Sequence, residues 1–438
     1  MLRLLIAALC CLPLHTPAWA ADIPQLRLHG SNTIGAELAP ELVKAWLDEK
    51  GYSSIRQSTS APQEMVINAV SPAGKRVAVT IKAHGSSTSF KAINRGEADI
   101  GMASRPIKTK EVAMLSRFGK MNSYDSEFVV GLDGIAVIVH PNNPLQQLYK
   151  DQLRRIFSGE VTDWSEFGLD SAPIHVYARD DKSGTYDTFK HLVLGKRHPL
   201  VNGARRFESN ANLSDAVSQD PNGIGFVGLP YVNQSKALSV ADGEARSVAP
   251  TAFTVATEDY VLARRLFLYL PEATATPAAT DFIQFAVSQA GQEVVNEVGF
   301  VSQNVIADEV EHDKSAPEEY RALTEGAERL SLNFRFQPGT INLDNKAHRD
   351  VERLKQYLEL PENRKRELML FGFADSNETM PYVTLLLSTG RADVIADLLI
   401  KEGLSPHKVR GYGDAVPVAS NETNSGRAKN RRVEVWLR

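Results

Sequence analysis

The sequence predicts an α/β fold built as two globular units of unequal size. Between residues 22 and about 301, short β-rich runs alternate with runs whose apolar residues recur at helical spacing. Residues 329–438 then read as β-α-β-α-β, a complete small domain. Within the larger unit, Ile135-Ala136-Val137-Ile138-Val139 is apolar almost throughout, the pattern of a strand covered on both faces.

The elements follow in order. Leu26-Arg27-Leu28 is a strand, followed by a helix with the stripe Leu38, Leu42, Val43, Trp46 and Leu47. Val77 to Ile81 forms the next strand, followed by a helix carrying Phe90 and Ile93. Ile174-His175-Val176-Tyr177 is a strand leading into a helix through Phe189, Leu192 and Val193. The stretch 302–328 has eight acids, two bases and Pro317, and reads as a solvated, partly helical linker. Beyond it, Leu332 to Phe336 alternates as a strand, and Val351, Leu354, Tyr357 and Leu358 mark a helix. Leu368 to Phe373 is a strand, and Leu387, Val394, Ile395, Leu398 and Leu399 mark a helix ended by Gly403. Val433, Val435 and Leu437 alternate in the last strand.

Composition narrows the function. The 438 residues are 43% hydrophobic and 23% charged, ordinary for a globular chain, and the net charge of −4 argues against a nucleic-acid binder. Residues 1–20 read as a secretory signal: Arg3, an apolar core from Leu4 to Leu14, and Ala18-Trp19-Ala20 as a cleavage site. Both cysteines, Cys10 and Cys11, fall in that segment, so the mature chain is expected to have no disulfide, thiol chemistry or cysteine metal site. The expected division is therefore signal 1–20, first unit 21–301, linker 302–328 and second unit 329–438.

Three segments of the first unit share a pattern. Gly30-Ser31-Asn32-Thr33-Ile34-Gly35, Gly85-Ser86-Ser87-Thr88 and Lys182-Ser183-Gly184-Thr185 each place small hydroxyl residues and glycine where a helix begins. Such ends leave backbone N–H groups unpaired and carry partial positive charge, so they bind phosphate-like anions. Each segment alone also reads as an N-cap and turn. Arg179, four residues before Ser183, could add a bidentate cation or be a solvated charge.

With Asp99-Ile100-Gly101-Met102-Ala103-Ser104-Arg105, Asp133 to Val137, Leu153 to Gly159 and Gly223 to Val227, these segments fall in an order that resembles the periplasmic phosphate-binding proteins of Pst-type ABC transporters, over residues 25–301. The resemblance implies a two-lobed periplasmic-binding-protein fold (type II) that closes over one phosphate. It implies contacts from the Thr33 hydroxyl, the Ile34 amide, Ser86, Arg179, and the donors of Ser183, Gly184 and Thr185. Well-known members carry an aspartate where this chain has Ser104, followed here by Arg105. Ser104 could donate or accept and Arg105 could add a cation, which leaves sulfate-like anions, other oxyanions and phosphorylated ligands open beside phosphate, with Asp180 or Asp181 as alternative acceptors or mere turn residues. Whether an ABC permease receives the anion is not legible.

In the second unit Asp375 ends an apolar strand, and Arg391 lies on or beside the stripe of the following helix. The two could pair with each other, or hold a zwitterion. Leu332…Phe334-Arg335-Phe336, Gly372-Phe373-Ala374-Asp375, Leu387-Ser388…Arg391-Ala392, Gly411-Tyr412-Gly413 and Gly426-Arg427…Asn430-Arg431-Arg432 resemble the OmpA-like peptidoglycan-binding domain. The resemblance implies that Asp375 takes the ammonium and Arg391 the carboxylate of the diaminopimelate in a stem peptide. The loop Ser376 to Pro381 lacks the glycine usual after the aspartate, and Thr384 stands where an asparagine is common. Residues 331–438 carry 17 Lys and Arg against 14 Asp and Glu, a slightly basic balance that suits an anionic wall polymer.

No nucleophile elbow, zincin, Walker or dense His/Asp motif is present, and His84, His140, His175 and His191 are scattered. The expectation is a non-enzymatic protein without cofactor or metal, placed in the periplasm of a Gram-negative bacterium and associated with peptidoglycan or the outer membrane. The alternatives are a wall-anchored phosphoester hydrolase and a structural or adhesion adaptor.

Overall fold

The computed structural model describes residues 25–181, 183–310, 314–378 and 380–438. The expected signal segment, with Cys10 and Cys11, lies outside the described residues, as does Lys182.

The first unit consists of two α/β lobes. In the first lobe Gln25–Gly30 lies between Arg76–Lys82 and Ile100–Ala103, parallel to both. A hairpin of Ser53–Ala61 and Glu64–Val70 extends this sheet beyond Arg76–Lys82. Its outer strand is polar and largely exposed, so it left no apolar period to read. Helix Ala39–Glu49 buries Leu42, Val43, Trp46 and Leu47, the stripe expected from the sequence, against a core with Leu28, Ile81, Ile100 and Phe282.

Strand Glu127–Val139 runs through both lobes. Its first half pairs with Ala263–Tyr269 of the first lobe, and its second half with Gly223–Gly228 and Lys236–Ala241 of the second. The chain crosses between lobes here and again just before Ala263. The second core gathers Ile135, Val137, Ile156, Phe157, Phe189 and Phe226, with the Phe189 and Phe226 rings stacked 4.0 Å apart. Each such side chain contributes about 1.5–3 kcal/mol by leaving water. The helix expected through Phe189 and Val193 is an α-helix, Gly184–Phe189, continued by a π-helical turn, Lys190–Leu194.

The second unit is a five-stranded sheet in the order Ala307–Asp308, Glu328–Arg335, Arg432–Leu437, Leu368–Gly372, Lys408–Gly411. Helices Asn345–Leu358 and Pro381–Lys401 cover one face, packing Leu354, Ile395 and Leu399 on Leu332, Phe334 and Val435. The acidic stretch is more than the solvated linker expected. Ala307–Asp308 pairs with Leu330 and Arg329, and helix Glu318–Thr324 covers the other sheet face through buried Tyr320, Phe371 and Trp436. Its acids mark the outer side of an element whose few apolar residues face inward.

On Glu328–Arg335, alternation puts Leu330, Leu332 and Phe334 on one face and Arg329, Asn333 and Arg335 on the other. The polar face is also buried, because it docks on the segment 257–260 where the chain crosses between lobes. Arg329 pairs with Asp259 at 2.6 Å, Asn333 Nδ2 donates to Asp259 Oδ1 at 3.0 Å, and Arg335 donates to the Thr257 carbonyl at 2.8 Å. Asn345 donates to Glu127 of the first lobe, and the Ser420 amide to Asp242 of the second. The second unit therefore bridges both lobes.

Candidate functional site

The ends of the first-lobe strands bring two helix starts together. Gly30 adopts φ +142°, and an added Cβ there would collide with the Met102 carbonyl, so glycine lets Gln25–Gly30 end against Ile100–Ala103. The Gly85 amide donates to the Gly30 carbonyl at 2.7 Å, fastening the second start to the first. Ser86 begins helix Ser86–Arg95, and its Oγ accepts from the Ser104 amide at 3.0 Å and lies 3.2 Å from Ser104 Oγ. Past Thr33 the first helix starts as a π-helical turn, Ile34–Leu38, a distortion often found at functional sites.

The third start comes from the second lobe and meets the first. Ser183 caps Gly184–Phe189 by accepting from the Tyr186 amide at 3.3 Å. A Cβ on Gly184 would fall on Thr33 Oγ1, so the lobes touch here only because residue 184 is glycine. Arg264 spans this junction: it donates to Thr33 Oγ1 at 2.7 Å and to the Gly184 carbonyl at 3.1 Å, while Asp133 holds it at 3.1 Å. Burial pulls this guanidinium's pKa down, and Asp133 opposes the fall.

These groups line one cavity of about 860 Å³. Of the residues singled out by sequence, Thr33, Ser86, Ser104, Arg105, Ser183 and Gly184 line it. Ile34, Arg179 and Thr185 lie outside the lining: Ile34 is in the first-lobe core, and Thr185 is half-buried on its helix. Arg179 donates to the carbonyls of Phe207 and Glu208, at 3.3 and 2.6 Å. Arg105 is spent on Glu111 through bonds of 2.8 and 2.7 Å. Burial pushes the Glu111 carboxyl up, but bonds from Arg105 and the Lys108 amide outweigh it and hold it below its usual range. Asp181 reaches the cavity but is tied to Arg206, and Asp180 serves the turn before Ser183.

Sequence reasoning missed Arg264, the first of two arginines at the start of a strand that is apolar beyond them, ARRLFLY, where each charge requires a partner or a ligand. It also missed that the second unit completes the cavity wall, with Arg335, Phe336, Asp344 and Lys429. Among the described residues no cluster of His, Cys, Asp and Glu could hold a metal ion.

The second candidate site is closed on itself. Asp375 and Arg391 are 1% and 0% exposed, and they do not pair with each other. Asp375 binds Arg431 at 2.9 Å. Arg391 takes both carboxylate oxygens of Glu378, at 2.7 and 2.6 Å, and donates to the Thr340 and Phe373 carbonyls. Glu378 belongs to the loop that lacks the expected glycine. Burial raises its pKa, but Arg391 and the Gly339 amide outweigh this and hold it below the usual carboxylate range. Gly372 and Gly426 are packing glycines: a Cβ would strike the Ser388 and Ser420 carbonyls respectively.

Known proteins divide along the same two units. The family model for the PBP superfamily domain matches residues 47–290, more than half of the chain, and the OmpA family model matches 335–431. Protein SphX of Synechococcus elongatus is 33% identical over 52% of this chain and 69% of its own length. The phosphate-binding protein PstS of Pseudomonas aeruginosa is 32% identical over 51% and 74%. Among solved structures, a possible phosphate binding protein from Planctomyces limnophilus is similar with TM-score 0.50 and 26% identity, covering 64% of this chain and 94% of that one. An ABC-type phosphate transport receptor from Vibrio cholerae gives TM-score 0.50 at 23% identity, over 63% and 99%, a likeness of fold.

Proposed function

Since the chain belongs to the PBP superfamily and carries an OmpA domain at its C-terminus, we propose that it is a phosphate receptor of the periplasmic cell envelope, held to peptidoglycan by that domain. The observation that carries the first half is the junction at Gly184, where helix starts from both lobes and Arg264 converge on one cavity. Thr33, Ser86, Ser104, Ser183 and Gly184 supply donors without charge, and Arg264, already held by Asp133 through Nε, turns its Nη2 to the junction as a charge-assisted donor. Donors of this kind bind a tetrahedral anion strongly where water is excluded. Arg179 joins only if it lets go of the Phe207 and Glu208 carbonyls. The relatives' names, phosphate-binding protein and possible phosphate binding protein, support phosphate as the anion and binding rather than catalysis.

A thermal-shift panel of phosphate, sulfate and molybdate tests this, with Arg264→Met and Arg179→Met in parallel. The expected result is a rise with phosphate that Arg264→Met abolishes and Arg179→Met only weakens. No rise with any oxyanion, or a rise indifferent to Arg264→Met, would overturn the assignment.

For the anchor, Glu378 now offers Arg391 the carboxylate that a stem peptide would offer. Wall binding is therefore an exchange of one carboxylate for another, and co-sedimentation with purified sacculi measures it. An ABC permease as acceptor of the captured anion is consistent with the receptor fold. A tethered receptor could serve one only within its reach.

A further inference from the structure

The cavity is larger than one tetrahedral anion on three helix starts requires; its volume is in the range that holds organic-sized ligands. Its outer wall comes from the second unit, and two cations there are poorly neutralised. Arg335 is 5% exposed, yet its acceptors are the backbone carbonyls of Thr257 and Lys429. Its nearest carboxylate, Asp259 at 3.9 Å, already takes Arg329 and Asn333, and Arg335 Nε has no partner. Lys429 Nζ likewise donates to carbonyls, those of Glu258 and Tyr260, at 3.0 and 2.7 Å.

Arg265, which lines the same cavity from the first unit, shows the contrast. Glu258 and Asp344 hold it at 2.7 and 2.6 Å, so those two carboxylates are spent. Glu127, also on the wall, is hydrogen-bonded by Tyr269 and Asn345. A cation taken largely out of water that depends on neutral carbonyls, with carboxylates only at a distance or shared with other cations, is costly to the fold. Here the fold accepts two such cations beside the cleft, Arg335 buried and Lys429 half-buried, with a strained residue next to them. Glu258, whose carbonyl receives Lys429, has φ +62°, in the left-handed region that a glutamate rarely adopts.

We propose that the cleft takes a condensed phosphate: one phosphoryl group rests on the helix starts beside Arg264, and the next reaches Arg335 and Lys429 of the OmpA domain. This rests on the reading of the helix starts as a phosphate site. The second unit is then part of the receptor, and its docking across both lobes builds the second half of the site. Diphosphate is the simplest such ligand. It differs from a phosphomonoester in placing charge, rather than a carbon skeleton, beyond the first phosphorus.

Calorimetric titration of the full chain with orthophosphate, diphosphate and glycerol 3-phosphate decides it. The expected result is diphosphate binding at least tenfold tighter than either of the others. In Lys429→Met the diphosphate-to-orthophosphate ratio should fall towards one, and Lys429→Arg should restore it. Orthophosphate binding as tight as diphosphate overturns this proposal and leaves the phosphate receptor standing. Tighter binding of glycerol 3-phosphate overturns it in favour of a monoester. Absence of binding by all three overturns the phosphate reading itself. Arg335→Gln should lower the same ratio, and should that variant fail to fold, the wild-type ratio and the Lys429 pair still decide.

Discussion

Replacing Glu378 by alanine separates the two roles assigned to its loop. The substitution removes two charge-assisted bonds to Arg391, of 2.7 and 2.6 Å, and the acceptor of the Gly339 amide. Arg391, fully buried, is left with the neutral carbonyls of Thr340 and Phe373 and the face of Phe336. Removing one partner of a buried ion pair costs about 3–5 kcal/mol. At about 4 °C per kcal/mol for a domain of this size, the C-terminal unit should melt roughly 12–20 °C lower. Because Glu378 titrates below its unfolded value, its contribution is present above about pH 4.3 and is lost as pH falls through the folded pKa, so wild type and variant should converge in acid. The freed guanidinium should in turn bind a foreign carboxylate. Thermal unfolding with and without muropeptide, together with sacculus co-sedimentation, reads both effects: the variant should be less stable alone, gain more from the peptide, and sediment more completely. If Glu378→Ala costs under about 1 kcal/mol, well below the range for a buried pair, or sediments no better than wild type, the carboxylate exchange is refuted.

Other consequences are equally direct. Gly184→Ala puts a methyl on Thr33 Oγ1 and must part the lobes; losing one charge-assisted contact, about 1.5–3 kcal/mol, is about a ten- to hundredfold loss of phosphate affinity by calorimetry. Asp259→Ala strips Arg329 of its 2.6 Å partner at the docking face, and calorimetric scanning should then show the transitions of the two units further apart than in the wild type. Lys429 is pulled down to about 8 by burial, against Glu258 and Asp259 and alongside Arg335 and Lys150. Its ammonium is therefore charged below about pH 8 and lost above it, so diphosphate affinity relative to Lys429→Met should fall as pH rises through about 8.

Much of the chemistry was legible from local order. Gly30 to Gly35, Gly85 to Thr88 and Ser183 to Thr185 announce helix starts because hydroxyl and glycine spacing is a property of neighbouring residues, and the structure gathers Thr33, Ser86 and Ser183 on one cavity. Asp375 and Arg391 were legible as a buried acid and base for the same reason. Their partners were not, since Glu378 and Arg431 reach them from a loop and a distant strand edge. The acidic stretch 302–328 misled because composition reports the outward side of helix Glu318–Thr324 and is silent about the tyrosine that fixes it.

Order along the chain was enough to specify the two α/β units, the strands and helices that carry apolar periods, and the hydroxyl- and glycine-rich helix starts proposed to bind an anion. Those features follow from the spacing of near neighbours, which local sterics and burial convert directly into structure. Packing in three dimensions was needed to establish that Arg264 joins the lobes, that Glu378 occupies Arg391, and that the polar face of Glu328–Arg335 is an interface with Asp259. A charge on a strand reads the same whether water or another domain faces it, and the approach of remote segments supplies the difference.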